Sequence, residues 1–178
     1  MTKSHGSSEG SARAATGSGR SATTSSGERH ERHVCSFWLG GRCFGLDVAL
    51  VGEIVPVEEI TPVPMAKAAV RGVFNLRGSP LALMDLGAVL ELPVTDASAA
   101  TTALVLRSAE MVVGVGVERV DAIIPAGRGA LVAPRGTEEH FAVQGLLEVA
   151  GRAPITVLDA DAVLQRLRRL RYVDATER

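Results

Sequence analysis

The stretch Val70–Leu90, VRGVFNLRGSPLALMDLGAVL, decides the fold because the chain writes it twice; the second copy is Val143–Leu164, VQGLLEVAGRAPITVLDADAVL. Both copies run apolar-x-Gly, a short apolar segment, a Gly turn, then Pro-[Leu/Ile]-x-[Leu/Val]-[Met/Leu]-Asp, with Ala-Val-Leu three residues on. Gly72 answers Gly145, Gly78 answers Gly151, Pro80 answers Pro154 and Asp85 answers Asp159, with one residue inserted after the second turn. A repeat of this length marks two copies of one supersecondary unit.

Each unit reads as a hairpin. Val73, Asn75 and Arg77 alternate with Gly72, Phe74 and Leu76 before Gly78 turns the chain, and Leu81 to Met84 resume it, the pattern of two short paired strands. Asp85 and Asp159 then stand where a strand gives way to helical spacing. They are expected to be N-caps, carboxylates that accept from the first free N–H groups of a helix. The other reading is a pair of catalytic acids.

Outside the repeat the chain continues in the same style. Cys35, Phe37 and Leu39 form one apolar face with Phe44 and Leu46 across a Gly40-Gly41 turn, and Trp38 falls on the opposite face with Cys43. Val48–Val57 is a short turn or helical piece leading into a strand, in which Glu53 either blunts an exposed edge or serves as a recognition contact. Pro56, Pro62 and Pro64 keep residues 58–65 extended. Residues 102–117 form a further hairpin turning near Ser108 and Ala109, and Glu53-Ile54-Val55-Pro56 has its counterpart in Ala122-Ile123-Ile124-Pro125. Residues 126–140 are expected to be an exposed loop. A last helix, Asp159–Tyr172, should close the open end of a barrel with Val163, Leu164, Leu167 and Leu170, and it carries Arg166, Arg168, Arg169 and Arg171 on its other faces.

Composition narrows the function classes. The 178 residues are 46% hydrophobic with a net charge of −1, enough for one ordinary domain or two small barrels sharing a core. Near-neutrality and an aromatic content of 3% argue against phosphate-driven nucleic-acid binding and base stacking. His5, His30 and His33 lie in a polar leader, leaving only His140 in the body, and no CxxC, HExxH, GxSxG or phosphate-loop motif occurs. Hence no catalytic residue, metal site or cofactor is expected. Cys35 and Cys43 point to opposite sides of their hairpin, so a disulfide is not expected and a reduced, cytoplasmic setting fits. No apolar run reaches membrane-spanning length, and direct membrane insertion is not expected.

Residues 1–33 contain no Leu, Ile or Phe and no Val, and carry five Lys/Arg against three Asp/Glu, a net of +2; they read as a disordered leader. The body, 34–178, divides into a first barrel unit of about 34–92 and a second of about 101–172, with a polar connector between and room for strands to be exchanged. The fold class is mainly β: two SH3-like, five-stranded antiparallel barrels packed side by side, with short helices and a C-terminal helix.

At this point the sequence resembles the CheW family of chemotaxis coupling proteins. The residues that carry the resemblance are Phe37 and Leu39 before Gly40-Gly41, Phe44 and Leu46 after it, Val51-Gly52-Glu53-Ile54-Val55, Ile60 to Pro64, Gly72, Asn75-Leu76-Arg77-Gly78, Asp85-Leu86 and Val117-Glu118-Arg119-Val120. They cover about Val34 to Leu167, and the segment from NLRG to Asp-Leu is the most specific part. The resemblance implies a non-catalytic adaptor that joins the cytoplasmic tip of a methyl-accepting chemoreceptor to the regulatory domain of a CheA-type histidine kinase, in the cytoplasm at receptor arrays. It implies a receptor or kinase site at Arg77, with Asn75, Leu76 and Gly78 shaping it and Val51, Glu53, Ile54, Glu118 and Val120 contributing. Gly87 after Asp-Leu, Glu118 in place of the family's Asp, and the long leader depart from the pattern, leaving a non-chemotaxis pathway of gliding or development as the alternative. An enzyme built on Asp85, Asp159, Glu118 or His140, or a nucleic-acid-binding barrel, is the remaining competitor.

Overall fold

The computed structural model describes residues 32–92, 101–134 and 140–171. Most of the leader, the connector residues 93–100 and Tyr172 lie outside the described residues. In chain order the elements are β1 (His33–Leu39), β2 (Arg42–Asp47), a 3-10 turn (Val48–Leu50), β3 (Val51–Pro56), β4 (Val70–Leu76), β5 (Ser79–Asp85) and α1 (Leu86–Val89). They continue with β6 (Thr102–Arg107), β7 (Val112–Val117), β8 (Arg119–Pro125), a second 3-10 turn (Ala126–Arg128), β9 (Ala130–Val132), β10 (Val143–Glu148), β11 (Ile155–Leu158) and α2 (Ala160–Arg171).

The strands form two sheets, a five-stranded one in the order β3-β6-β7-β5-β4 and a six-stranded one in the order β8-β1-β2-β11-β10-β9. These are the two SH3-like barrels, with the correction that one has six strands and each contains one parallel pair, where five-stranded, wholly antiparallel barrels were expected. Each sheet contains a hairpin from the other half of the chain: β1–β2 joins β8, β10 and β11, while β6–β7 joins β3, β4 and β5. The insertion is closed by parallel pairings at matching places. Leu83 lies opposite Gly114 and Val157 opposite Gly45. A Cβ on Gly114 would lie 2.7 Å from the Phe74 ring, and one on Gly45 would lie 2.4 Å from Val34 Cγ1. The duplication therefore extends to the glycines that let neighbouring side chains cross the sheet.

Sequence explains why the exchanged hairpins stay put. Ala103-Leu104-Val105-Leu106 is an unbroken apolar run, the signature of a strand buried on both faces, and all four residues are fully buried. Leu104 and Leu106 enter a core shared with Phe37, Leu46, Met84, Leu86, Val113, Val115 and Leu158. Ala103 and Val105 face a second cluster with Phe74 and Leu83. On the other side Cys35 and Phe37 enter the shared core, while Val34 joins Cys43, Ile124, Leu147, Ile155 and Val157. Among the described residues three apolar clusters result, one inside each sheet and one between them.

Two further expectations need correction. Residues 126–140 are not simply a loop, because Leu131 and Val132 pair with Leu147 and Leu146 and add β9 to the sheet edge. The first copy holds the same contact only as a bridge, Thr61 to Val73. The last helix does not close one barrel. Val163, Leu164 and Leu167 pack into the shared core, and Arg166 and Arg168 pair with Glu91 and Glu110.

Replacing Leu104 by Ala should cost about 2–5 kcal/mol, the range for emptying a fully buried leucine site. Urea unfolding measures it; a loss below about 1 kcal/mol would show that the shared core collapses around the gap.

Candidate functional site

The site begins with the turn of the β4–β5 hairpin. Leu76 pairs with Ser79, leaving Arg77 and Gly78 as a two-residue turn with φ of +50° and +87°. Positive φ at both positions gives the mirror-image turn that matches sheet twist. Asn75 locks it, its Oδ1 accepting from the Gly78 N–H at 2.7 Å. Glycine tolerates this backbone; an arginine there is strained by about 1–2 kcal/mol. The side chain is 81% exposed, so packing does not offset the strain.

What the turn achieves is placement. Arg77 Nη2 donates to Glu53 Oε2 at 3.0 Å, and Arg107 Nη2 donates to Glu53 Oε1 at 3.1 Å. Glu53 lies on β3, the edge of the five-stranded sheet, just beyond a bulge that shifts its register against β6. Its side chain is only 19% exposed. Val51 packs against the shared core and Leu76 against the Phe74 cluster, while Ile54 is exposed. The arrangement is a charged knob on an apolar base, with most of the Arg77 donors facing solvent. An exposed pair of this kind adds at most about 1 kcal/mol to stability.

The structure brings Asn75, Leu76, Arg77, Gly78 and Glu53 together, with Val51 and Ile54 on the same strand as Glu53. Glu118 is engaged elsewhere: its Oε1 accepts from the Gly40 N–H at 2.6 Å, closing the β1–β2 turn. Val120 pairs with Phe37 and packs on the shared core. Arg107 joins the candidate site through Glu53 and was not singled out in the sequence. Its only signal is a charge ending an apolar run, which acquires meaning once β3 and β6 are known to pair.

The other reactive side chains are occupied structurally. Asp85 Oδ1 accepts from the Ala88 N–H at 3.1 Å and Asp159 Oδ1 from the Ala162 N–H at 2.8 Å, both as N-caps. His140 Nδ1 accepts from the Ala142 N–H at 3.3 Å. The cysteines are free, and burial pushes both thiols up; at Cys43, Asp121 adds to the rise while Arg119 and Arg152 oppose it. Among the described residues no group of three or more His, Cys, Asp or Glu is placed to hold a metal ion, and no helix is long and apolar enough to cross a membrane. A second ion cluster lies on the six-stranded sheet. Asp121 accepts from Arg152 at 2.7 Å and from Arg119 at 3.5 Å, and the Arg119 guanidinium lies 4.6 Å from the Trp38 ring centre.

The described residues thus combine two paired sheets, acids used as caps and ion-pair partners, and a strained turn that presents a guanidinium. A family model described as the CheW-like domain matches residues 33–168. The chain is 31% identical over 136 residues to the chemotaxis protein CheW of Rhizobium meliloti, covering 74% of this chain and 86% of that protein. It is 27% identical over 138 residues to the chemotaxis protein CheW of Thermotoga maritima, covering 77% and 90%. Among solved structures it resembles the scaffolding protein TtCheW from Thermoanaerobacter tengcongensis, with a TM-score of 0.60, 22% identity, and 72% of this chain and 89% of that chain covered. The chain belongs to the CheW-like family.

Because the turn is strained, Arg77→Gly should leave stability unchanged or raise it by up to about 1 kcal/mol, the relief of strain being partly offset by glycine's extra unfolded-state entropy. Chemical denaturation decides this. A loss above about 2 kcal/mol would mean that the bridge to Glu53 holds the turn together.

Proposed function

We propose that this chain is a non-catalytic adaptor of a chemosensory array, coupling the cytoplasmic tip of a chemoreceptor to the regulatory domain of a CheA-type histidine kinase in the cytoplasm. The observation that carries the proposal is Arg77. An arginine held at φ +50° on an exposed turn, tied by one N–H to Glu53 and otherwise open, is an interfacial fork donor for carboxylates or carbonyls of a partner. Membership of the CheW-like family supports the identity of that partner, and the names of the relatives support the pathway. Exposed Ile54 beside the knob supplies apolar contact of the kind that surrounds an anchoring charge. Resemblance to the family implies that the kinase is held by loops and apolar patches at the barrel ends.

The acids do not favour an enzyme, since Asp85 and Asp159 are committed to helix caps. The helix arginines do not favour nucleic acid either, since Arg166 and Arg168 are bound to glutamates.

The test is binding of purified protein to a soluble chemoreceptor hairpin, measured by calorimetry. Arg77→Ala should weaken binding by about tenfold or more, as expected for an interfacial anchor, with the circular dichroism spectrum unchanged. Unchanged affinity would remove Arg77 from the interface, and an unfolded variant would make it a structural residue.

A further inference from the structure

A carboxylate with one arginine neighbour is frequently gripped by two parallel N–H···O bonds. Glu53 is not gripped in that way. Each oxygen has its own guanidinium, Oε2 from Arg77 and Oε1 from Arg107, so Arg77 makes one bond to Glu53 and keeps the rest of its fork free. Arg107 is the last residue of β6, and it comes from the exchanged hairpin, on the far side of the connector from Arg77.

Its approach depends on a missing side chain. Gly52 sits in the bulge of β3, between Val51, which faces Leu106, and Glu53, which faces Val105. The Arg107 side chain lies across it: a Cβ on Gly52 would fall 2.5 Å from Arg107 Cδ and Nε and 2.8 Å from Cγ. The fold itself does not require this arrangement. At the equivalent register of the six-stranded sheet, where Ser36 faces Ala122 and Phe37 faces Val120, the Glu53 position is Ala122, the Gly52 position is Asp121 and the Arg107 position is Trp38. One barrel carries the clamp and its duplicate is built without it.

We infer that Arg107 is a positioning residue for the docking knob: by holding Glu53 Oε1 it confines Arg77 to the other oxygen and keeps the remaining Arg77 donors directed at the partner. This rests on the docking reading of Arg77 given above. Without Arg107, Arg77 turns both arms onto Glu53 and loses donors to an intramolecular pair. Gly52 is the second half of the device, since any side chain there displaces Arg107 while leaving the β3–β6 ladder in place.

The experiment is a mutant cycle read as affinity for a soluble chemoreceptor hairpin. Arg107→Met, which keeps the aliphatic stem, and Gly52→Ala, which pushes the stem aside, should each weaken binding about five- to tenfold, and Arg107→Lys should restore most of it. In a Glu53→Gln background Arg107→Met should change affinity by no more than about twofold, because the grip it prevents no longer forms. Equal losses in both backgrounds would make Arg107 a direct or merely structural contact and overturn the inference. If Arg107→Met binds as the parent does while Arg77→Ala still loses affinity, positioning is refuted and the docking site stands. If Arg77→Ala also binds normally, the docking reading itself has failed.

Discussion

Burial of the β1–β2 and β6–β7 hairpins on both faces is the constraint on which the rest of the structure depends. One face of each hairpin lines its own sheet, through Val34 and Cys43 or Ala103 and Val105; the other enters the core between the sheets, through Phe37 and Leu46 or Leu104 and Leu106. A barrel of some 50 residues standing alone would bury too small a share of its surface to be securely stable. Exchange of hairpins solves this by giving both sheets a third, common core. It also makes the sheets interdependent, because neither is complete without strands from both sides of the connector. The parallel pairings of β5 with β7 and of β11 with β2 seal each inserted hairpin in place.

Much of this was legible in the sequence, for identifiable reasons. The repeat gave the hairpins and the capping aspartates, since both depend on local spacing. Register across Gly40-Gly41 followed from turn geometry, so Phe37 lies opposite Phe44 and Trp38 opposite Cys43, as the alternation required. Alternation tells which face of a strand is apolar; it does not tell which apolar surface will cover it. For that reason the sharing of the helix α2 core and the pairing of Leu131 and Val132 with β10 were not legible. Glu118 shows the same limit. Its charge is visible in the chain, but the Gly40 N–H that engages it comes from a turn 78 residues away.

The geometry of the candidate site was half legible. Arg77 and Gly78 announce a turn, and Asn75 announces the side chain that braces it, because all three act within one hairpin. Arg107 does not announce itself. Its contact with Glu53 spans 54 residues and depends on Gly52 standing in a bulge, a feature set by the strand ladder. A glycine in a strand pattern signals close approach of something without saying what approaches. Here it is the aliphatic stem of an arginine.

Comparison of the two copies separates what the fold needs from what has been added to it. The second hairpin makes its turn with Gly151 at φ +75°, one residue longer, and has Ala150 where the first has Arg77. A hairpin in this scaffold can therefore turn without straining an arginine. The caps, the parallel seams and their glycines recur in both copies, so they belong to the architecture. The Glu53–Arg77–Arg107 clamp occurs once, while the other sheet answers with Asp121 between Arg119 and Arg152, built from different strand positions. Duplication has left two scaffolds of one design carrying unlike charged surfaces, so that the two sheets share an architecture and differ in the ion clusters they present.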